Sequence, residues 1–202
     1  MLHKVLITGF EPYGDYPENS SWKVAQRVAF SGVEGVETAV EQMPVSFGRV
    51  AAALHAAIEK HNPNLVLLLG HSGGSDRVKL ERVALNRMDA RMADNDGFIP
   101  DDEPIAEAGE AAYFTRLLIK QLRAAIEQQG IAVKISNSAG LYVCNRLYYE
   151  AMRICREHPA MQAIFVHLPF YEGQPSAKPD KPTMPLDEMV RAIQTIINEV
   201  KP

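Results

Sequence analysis

The stretch SNSAGLYVCNRLYYEAM, residues 136–152, sets a cysteine where a run of small residues gives way to an amphipathic pattern. Ser136, Asn137, Ser138, Ala139 and Gly140 have the composition of a turn, while Val143, Leu147 and Ala151 recur at helical spacing with Tyr148, Met152 and Ile154 alongside. Cys144 therefore falls in or near the first turn of a helix. A helix start carries about half a positive charge and several free N–H groups. Both lower the pKa of a thiol from its usual value of roughly 8.5, so the position suits an activated nucleophile, provided a base is near. His167 supplies one, at the carboxyl end of the apolar run AIFVHLPF (163–170). A histidine beside a thiol takes its proton and leaves a thiolate–imidazolium pair. A lone strand-end histidine is ordinarily bonded to backbone, but a shared rim with a helix-start cysteine favours the catalytic pairing.

Such a pair works better when an acceptor fixes the imidazole in one tautomer. Glu81, within the alternating VKLERVALN, is the best candidate, since an inward-facing charge there needs a partner. Its spacing taken alone fits equally a solvated strand residue paired with Arg82. His3 is terminal, and His55 and His61 lie on a polar helix face. His71 follows the apolar LVLLLG and lies at the rim as a candidate pocket residue. No histidine, cysteine and carboxylate spacing matches a zinc site, GHSGG is not a G-x-S-x-G elbow, and GGSDR lacks the lysine of a phosphate loop. The reading requires neither metal nor cofactor. Cys155 falls mid-helix among charged residues and is expected to be inert or merely exposed.

The elements that must position these groups alternate. Strand patterns occupy 3–10, 36–45, 65–70, 77–86, 132–139 and 163–170; helix patterns occupy 20–30, 47–61, part of 106–130, the segment after Cys144, and 184–200. The order predicts a single α/β domain over residues 1–202, with a mostly parallel central sheet and helices on both faces. Ligands of such sheets sit beyond the carboxyl ends of the strands. Gly9-Phe10, Gly70-His71, Ser136-Asn137 and His167-Leu168 are therefore expected to meet. Two loop-rich stretches, 10–20 and 86–105, flank that rim.

Bulk composition narrows the function. The chain has 202 residues, enough for one good core, and a net charge of −4 with no basic stripe, which argues against nucleic acid. No apolar run approaches the ~20 residues of a membrane span, and the apolar run before EPYGDYPEN is too short for a secretory signal. Cys144 and Cys155 are 11 positions apart on one predicted helix, a rise of ~16 Å, too far for a disulfide. Free thiols suit a reducing compartment, and the chain is expected to be cytoplasmic.

Five segments in order, ITGFEPYGDYPENSS, LLLGHSGG, LERVALNRMDARMADNDG, SNSAGLYVCNRLYYEAM and FVHLPF, resemble pyroglutamyl peptidase I over nearly the whole chain. The resemblance implies a cysteine peptidase that removes N-terminal pyroglutamate from peptides, with Cys144 as nucleophile, His167 as base and Glu81 as orienting acid. It places the arginine that helps hold the oxyanion on Arg91, beside the Cys144 N–H. It places the substrate pocket on Phe10, Tyr13, Asn19, His71 and Val143, and it implies a homo-oligomer, often a tetramer. The chain departs from the family at Tyr13, where phenylalanine is usual, and at His71, where glutamine is usual. It departs also at Ser20, Ser72, Ser75 and Ala93. These departures leave two alternatives: a thiol amidase of the same fold acting on another small acyl group, and a non-catalytic binding relative.

Overall fold

The computed structural model describes residues 3–175 and 180–201. Six strands form the central sheet: β1 (His3–Phe10), β2 (Val36–Met43), β3 (Leu65–His71), β4 (Val78–Glu81), β7 (Val133–Ser136) and β8 (Gln162–Leu168), in the order β2-β1-β3-β8-β4-β7. The continuous apolar runs of β1, β3 and β8 lie in the middle, buried on both faces as parallel strands require. Two short pairs stand apart from this sheet, β5 (Val83–Leu85) with β6 (Ala112–Phe114) and β9 (Phe170–Tyr171) with β10 (Thr183–Met184).

Helices cover both faces, as the alternating pattern predicts. On one side α1 (Ser20–Ser31), α3 (Ile119–Gln128) and α5 (Leu186–Val200) pack over Val5, Ile7, Leu67, Leu80 and Val166. On the other, α2 (Val50–His61) and α4 (Val143–Glu157) pack over Leu6, Leu68, Ala163 and Phe165. The period-two alternation of the strands divides their side chains between these two cores. Gly9 lets α1 approach β1: a Cβ there would lie 2.6 Å from the Trp22 backbone.

Three expectations are corrected. First, the sheet is mostly parallel as expected, but β4 is antiparallel to β8 and β7 is parallel to β4, so the carboxyl end of β7 does not lie where Ser136-Asn137 was expected. The connection 72–77 is too short for the crossover helix a parallel neighbour would need, so the chain turns back. Ser136 consequently lies level with Glu81 and Phe165, not at the rim with His71 and Leu168. Cys144 reaches the rim because α4 begins there, not because β7 ends there. Second, the alternating segment 77–86 is not one strand. It leaves the central sheet after Glu81, and β5 pairs with β6. Third, the alanine-rich segment from 106 is helical only over Ile119–Gln128.

Candidate active site

His167 and Glu81 meet beneath α4. The antiparallel register pairs Glu81 with Phe165 and Lys79 with His167. Glu81 and His167 thus share one sheet face as diagonal neighbours. His167 Nδ1 and Glu81 Oε1 are 2.8 Å apart, with both side chains almost fully buried. The other carboxylate oxygen, Oε2, is buried without a partner. Tyr148 of α4 donates to the Glu81 carbonyl at 3.0 Å and fixes that end of β4. Gly70, paired with His167 on β3, has a spatial reason to be glycine. A Cβ would come within 2.6 Å of the Phe165 ring and 3.1 Å of the imidazole.

Cys144 is the second residue of α4. The helix has no side-chain cap, since Tyr142 occupies the cap position without capping, so the N–H groups of Val143 and Cys144 receive no acceptor from it, while the Asn145 N–H donates to the Tyr142 carbonyl at 3.0 Å. Cys144 is close enough to Glu81 to feel its charge. The thiol is not depressed as its helix position predicts. Burial pushes it up to about 12 and the Glu81 carboxylate adds to the rise, while its own backbone N–H pulls the other way. A partial helix charge is thus outweighed by lost hydration and a nearby anion. Cys155 is buried in the α2/α4 core rather than exposed, and its thiol is pushed up to about 11 by the same loss of water. Both cysteines are free.

The remaining sequence candidates divide. Phe10 is buried against Phe165, with ring centroids 6.5 Å apart. Tyr13 is partly buried between Tyr16 and Tyr142, at 5.7 and 6.4 Å, and close enough to Cys144 to feel its charge. Val143 is 1% exposed, so its side chain belongs to the core rather than to a pocket surface. Asn19 is also no free ligand. Its Oδ1 caps α1 by accepting from the Ser21 N–H at 3.1 Å and the Ser21 hydroxyl at 2.7 Å, and its Nδ2 donates to the Glu11 carbonyl. Ser21 Oγ in turn accepts from the Phe10 N–H at 3.0 Å, so Asn19 positions the end of β1.

His71 is buried at the end of β3. Its Nδ1 and Ser20 Oγ share a hydrogen bond of 2.9 Å, its ring packs on Phe170 with centroids 4.2 Å apart, and its Nε2 is buried without a partner. Burial, with the charge of His167 behind it, holds the imidazole down at about 4. Ser20 is therefore the partner of His71. Arg91 lies exposed in the loop between β5 and β6. That loop is tied to the start of α4 on either side of it: the Asp89 N–H donates to the Leu141 carbonyl at 3.1 Å, and the Tyr142 hydroxyl donates to the Ala93 carbonyl at 2.9 Å.

Two supports escaped residue-by-residue reading. Asn145, fully buried beside the cysteine, binds three backbone groups: it accepts from the Leu85 N–H at 2.9 Å and donates to the Leu85 and Arg87 carbonyls at 2.8 and 2.9 Å. Asp94 accepts from the N–H groups of Phe47, Asp96 and Phe98, while Asn95 donates to the Pro12 carbonyl. The signal was present in the motifs VCN and DN.G, but a polar residue's backbone partners cannot be read from spacing.

The wider comparisons agree with this architecture. The family model described as pyroglutamyl peptidase matches residues 3–201. The pyrrolidone-carboxylate peptidase of Bacillus licheniformis is 42% identical over 195 residues, covering 96% of this chain and 90% of that protein. The corresponding protein of Thermococcus onnurineus is 41% identical, covering 96% of each. Among solved structures, the pyrrolidone carboxyl peptidase of Fervidobacterium islandicum superposes with a TM-score of 0.93 at 32% identity over 98% of both chains. Pyroglutamyl peptidase I of Bacillus amyloliquefaciens gives 0.91 at 37% identity over 96% of this chain and 93% of that one. On sequence and fold together, the chain belongs to the pyroglutamyl peptidase family.

Proposed function

We propose that this protein hydrolyses the bond after an N-terminal pyroglutamyl residue, using Cys144 as nucleophile, His167 as general base and acid, and Glu81 as the residue that orients the imidazole. The observation that carries the reading is the buried 2.8 Å contact between His167 Nδ1 and Glu81 Oε1. A carboxylate accepts only, so Nδ1 carries the proton and Nε2 is left as the base. The thiol, raised by burial and by Glu81, does not ionise alone; its proton passes to Nε2 as sulfur attacks. The imidazolium so formed is stabilised by Glu81.

Attack on the carbonyl that joins the pyroglutamyl ring to the next residue creates an oxyanion. The Cys144 N–H at the uncapped start of α4 and the Arg91 guanidinium stabilise it, about 3–4 kcal/mol per well-placed donor. His167 then protonates the departing amine, leaving a thioester. Water, deprotonated by the same imidazole, attacks the thioester; pyroglutamate leaves and the thiol regains its proton. The lactam is flat and uncharged, so it calls for apolar walls and a few polar contacts. Tyr13, partly buried beside the cysteine, supplies a wall with Phe10 packed in the core behind it, and His71 Nε2, buried and unpartnered, supplies a polar contact.

A fluorogenic pyroglutamyl amide tests the assignment. The wild-type protein should release the fluorophore and Cys144→Ser should not, although it folds normally. Modification of Cys144 by a thiol reagent in a protein that never cleaves the amide would overturn the pyroglutamyl assignment. That outcome would favour an amidase acting on another acyl group, a reading whose support is the Ser20–His71 pair at the pocket rim.

A further inference from the structure

Two lysines continue the active-site row across the sheet. Gly70 of β3 pairs with His167 of β8, His167 with Lys79 of β4, and Lys79 with Lys134 of β7. Directly paired residues point to the same face, so His167, Lys79 and Lys134 form one transverse line running from the imidazole to the sheet edge. Lys79 Nζ donates to Ser72 Oγ at 2.8 Å. Ser72 follows β3, and β8 lies between β3 and β4. The lysine side chain therefore passes over the end of β8 at the level of His167 and Leu168.

The charges of Glu81 and Asp76 reach Lys79, and that of Asp76 reaches Lys134, but only at a distance. Among the described residues, neither Lys79 nor Lys134 makes an ion pair. Asp76, the nearby acid, is held by both guanidinium contacts of Arg77 at 2.7 Å. Glu81 is committed to His167. Lys79 is half-buried, and burial together with the positive charge of Lys134 lowers its pKa. Two adjacent like charges, one of them partly desolvated and bonded only to a neutral hydroxyl, the other exposed, favour the approach of a further anion.

We propose that Lys79 and Lys134 form a subsite for a carboxylate of the departing peptide, giving the enzyme a preference for pyroglutamyl substrates with an acidic group close behind the scissile bond. The inference rests on the reading given under Proposed function. Direction follows from the strand order. The wall residues Phe10 and Tyr13 belong to the β1 side of His167, and the lysines to the β4 and β7 side. His167 protonates the leaving amine, so the peptide beyond that amine extends toward the lysines. Ser72 holds the ammonium over this exit.

The test is a comparison of kcat/KM for pyroglutamyl-Glu amide, pyroglutamyl-Gln amide and pyroglutamyl-Gln with a free terminus, in wild type, Lys79→Met, Lys79→Arg and Lys134→Met. Wild type should favour a substrate carboxylate over its neutral isostere by about fivefold, the scale of a partly exposed ion pair. Lys79→Met should bring the ratio close to one, Lys134→Met should reduce it, and Lys79→Arg should keep it. A preference seen in the Glu/Gln amide pair assigns the subsite to an acidic side chain. A preference seen only for the free terminus over its amide assigns it to the terminal carboxylate of a short peptide. Ratios near one in wild type, or a preference that persists in both Met variants, overturn the proposal. Turnover of the fluorogenic amide without any carboxylate preference defeats this inference alone, whereas no turnover of any pyroglutamyl substrate defeats the underlying reading as well.

Discussion

At the scale of single residues, Glu81 acts in two opposed ways, and the opposition can be measured. Its carboxylate holds His167 Nδ1 at 2.8 Å, and the same negative charge helps push the Cys144 thiol up. Glu81→Gln keeps the shape and removes the charge. Turnover should fall by about a hundredfold or more, because the amide can donate to Nδ1 and select the wrong tautomer, and the imidazolium loses its counter-charge; KM should change little. Alkylation of Cys144 by iodoacetamide should become faster at a given pH, because one cause of the raised thiol is gone. If labelling slows in step with kcat, Glu81 acts on the thiol only through His167 and its direct charge is irrelevant. His71 gives a second residue-scale expectation. The imidazole titrates at about 4, so it stays neutral between pH 5.5 and 8. KM profiles of wild type and His71→Gln should run parallel across that range and diverge only below it. A change in the wild-type profile near pH 6.5 that glutamine abolishes would place the ring in water, against the burial described.

At the scale of elements, the site is where α4, the end of β8 and the loop between β5 and β6 are held together, and Asn145 is the join. Its amide satisfies three backbone groups of Leu85 and Arg87. Asn145→Ala leaves these part-buried groups without their side-chain partner, which costs about 1–3 kcal/mol for each that water does not reach. The variant should lose a few kcal/mol in chemical denaturation and should also lose kcat, because the loop that carries Arg91 is no longer fixed to the helix that carries Cys144. Normal kcat in a folded Asn145→Ala protein would sever Arg91 from the chemistry. The elements also mark what the sequence made legible. A helix-start cysteine and a strand-end histidine follow from periodicity, so the places of Cys144 on α4 and His167 on β8 were legible from pattern. Glu81 was not, because its inward direction depends on β4 reversing, and that depends on the shortness of 72–77. The strand β6 lay hidden in a helix-like composition. Tyr113 packs on Tyr149 at 4.9 Å, and Asn86 holds the backbone of Ala106 and Gly109, so tertiary contacts override the propensity of the alanines. Asn19 shows a different limit: its side-chain oxygen caps α1, since the free N–H groups at a helix start compete for the same oxygen that a ligand would use, and spacing does not reveal that commitment.

At the scale of the whole molecule, acid should destabilise the fold in two separable steps, because the two faces of the sheet carry different buried titrating groups. His71 stays neutral down to about 4, whereas an unfolded histidine protonates near 6.5. Below pH ~6.5 the unfolded chain therefore binds a proton that the folded one refuses. Stability present above that pH is lost as pH falls toward about 4. Glu150, on α4, behaves in the second window. Burial raises its carboxyl, but hydrogen bonds from Arg153 at 2.7 Å and His55 at 2.6 Å, with the charges of Arg153 and Arg146, bring it down to about 2. An unfolded glutamate protonates near 4.3, so this contribution is complete above that pH and disappears as pH falls through about 2. Thermal unfolding followed from pH 7.5 to 2.5 should show Tm falling in both ranges. His71→Gln should flatten the decline between pH 6.5 and 4 and leave the lower one in place. Glu150→Gln should do the reverse, and should also lower Tm at pH 7, because it strips Arg146 and Arg153 of a buried counter-charge. If His71→Gln follows the wild-type curve in parallel above pH 4, protonation of the rim histidine is not what limits the fold in mild acid. The loss must then lie with another group that the folded chain keeps neutral below its ordinary range, of which His3, lowered by burial, is the next to test.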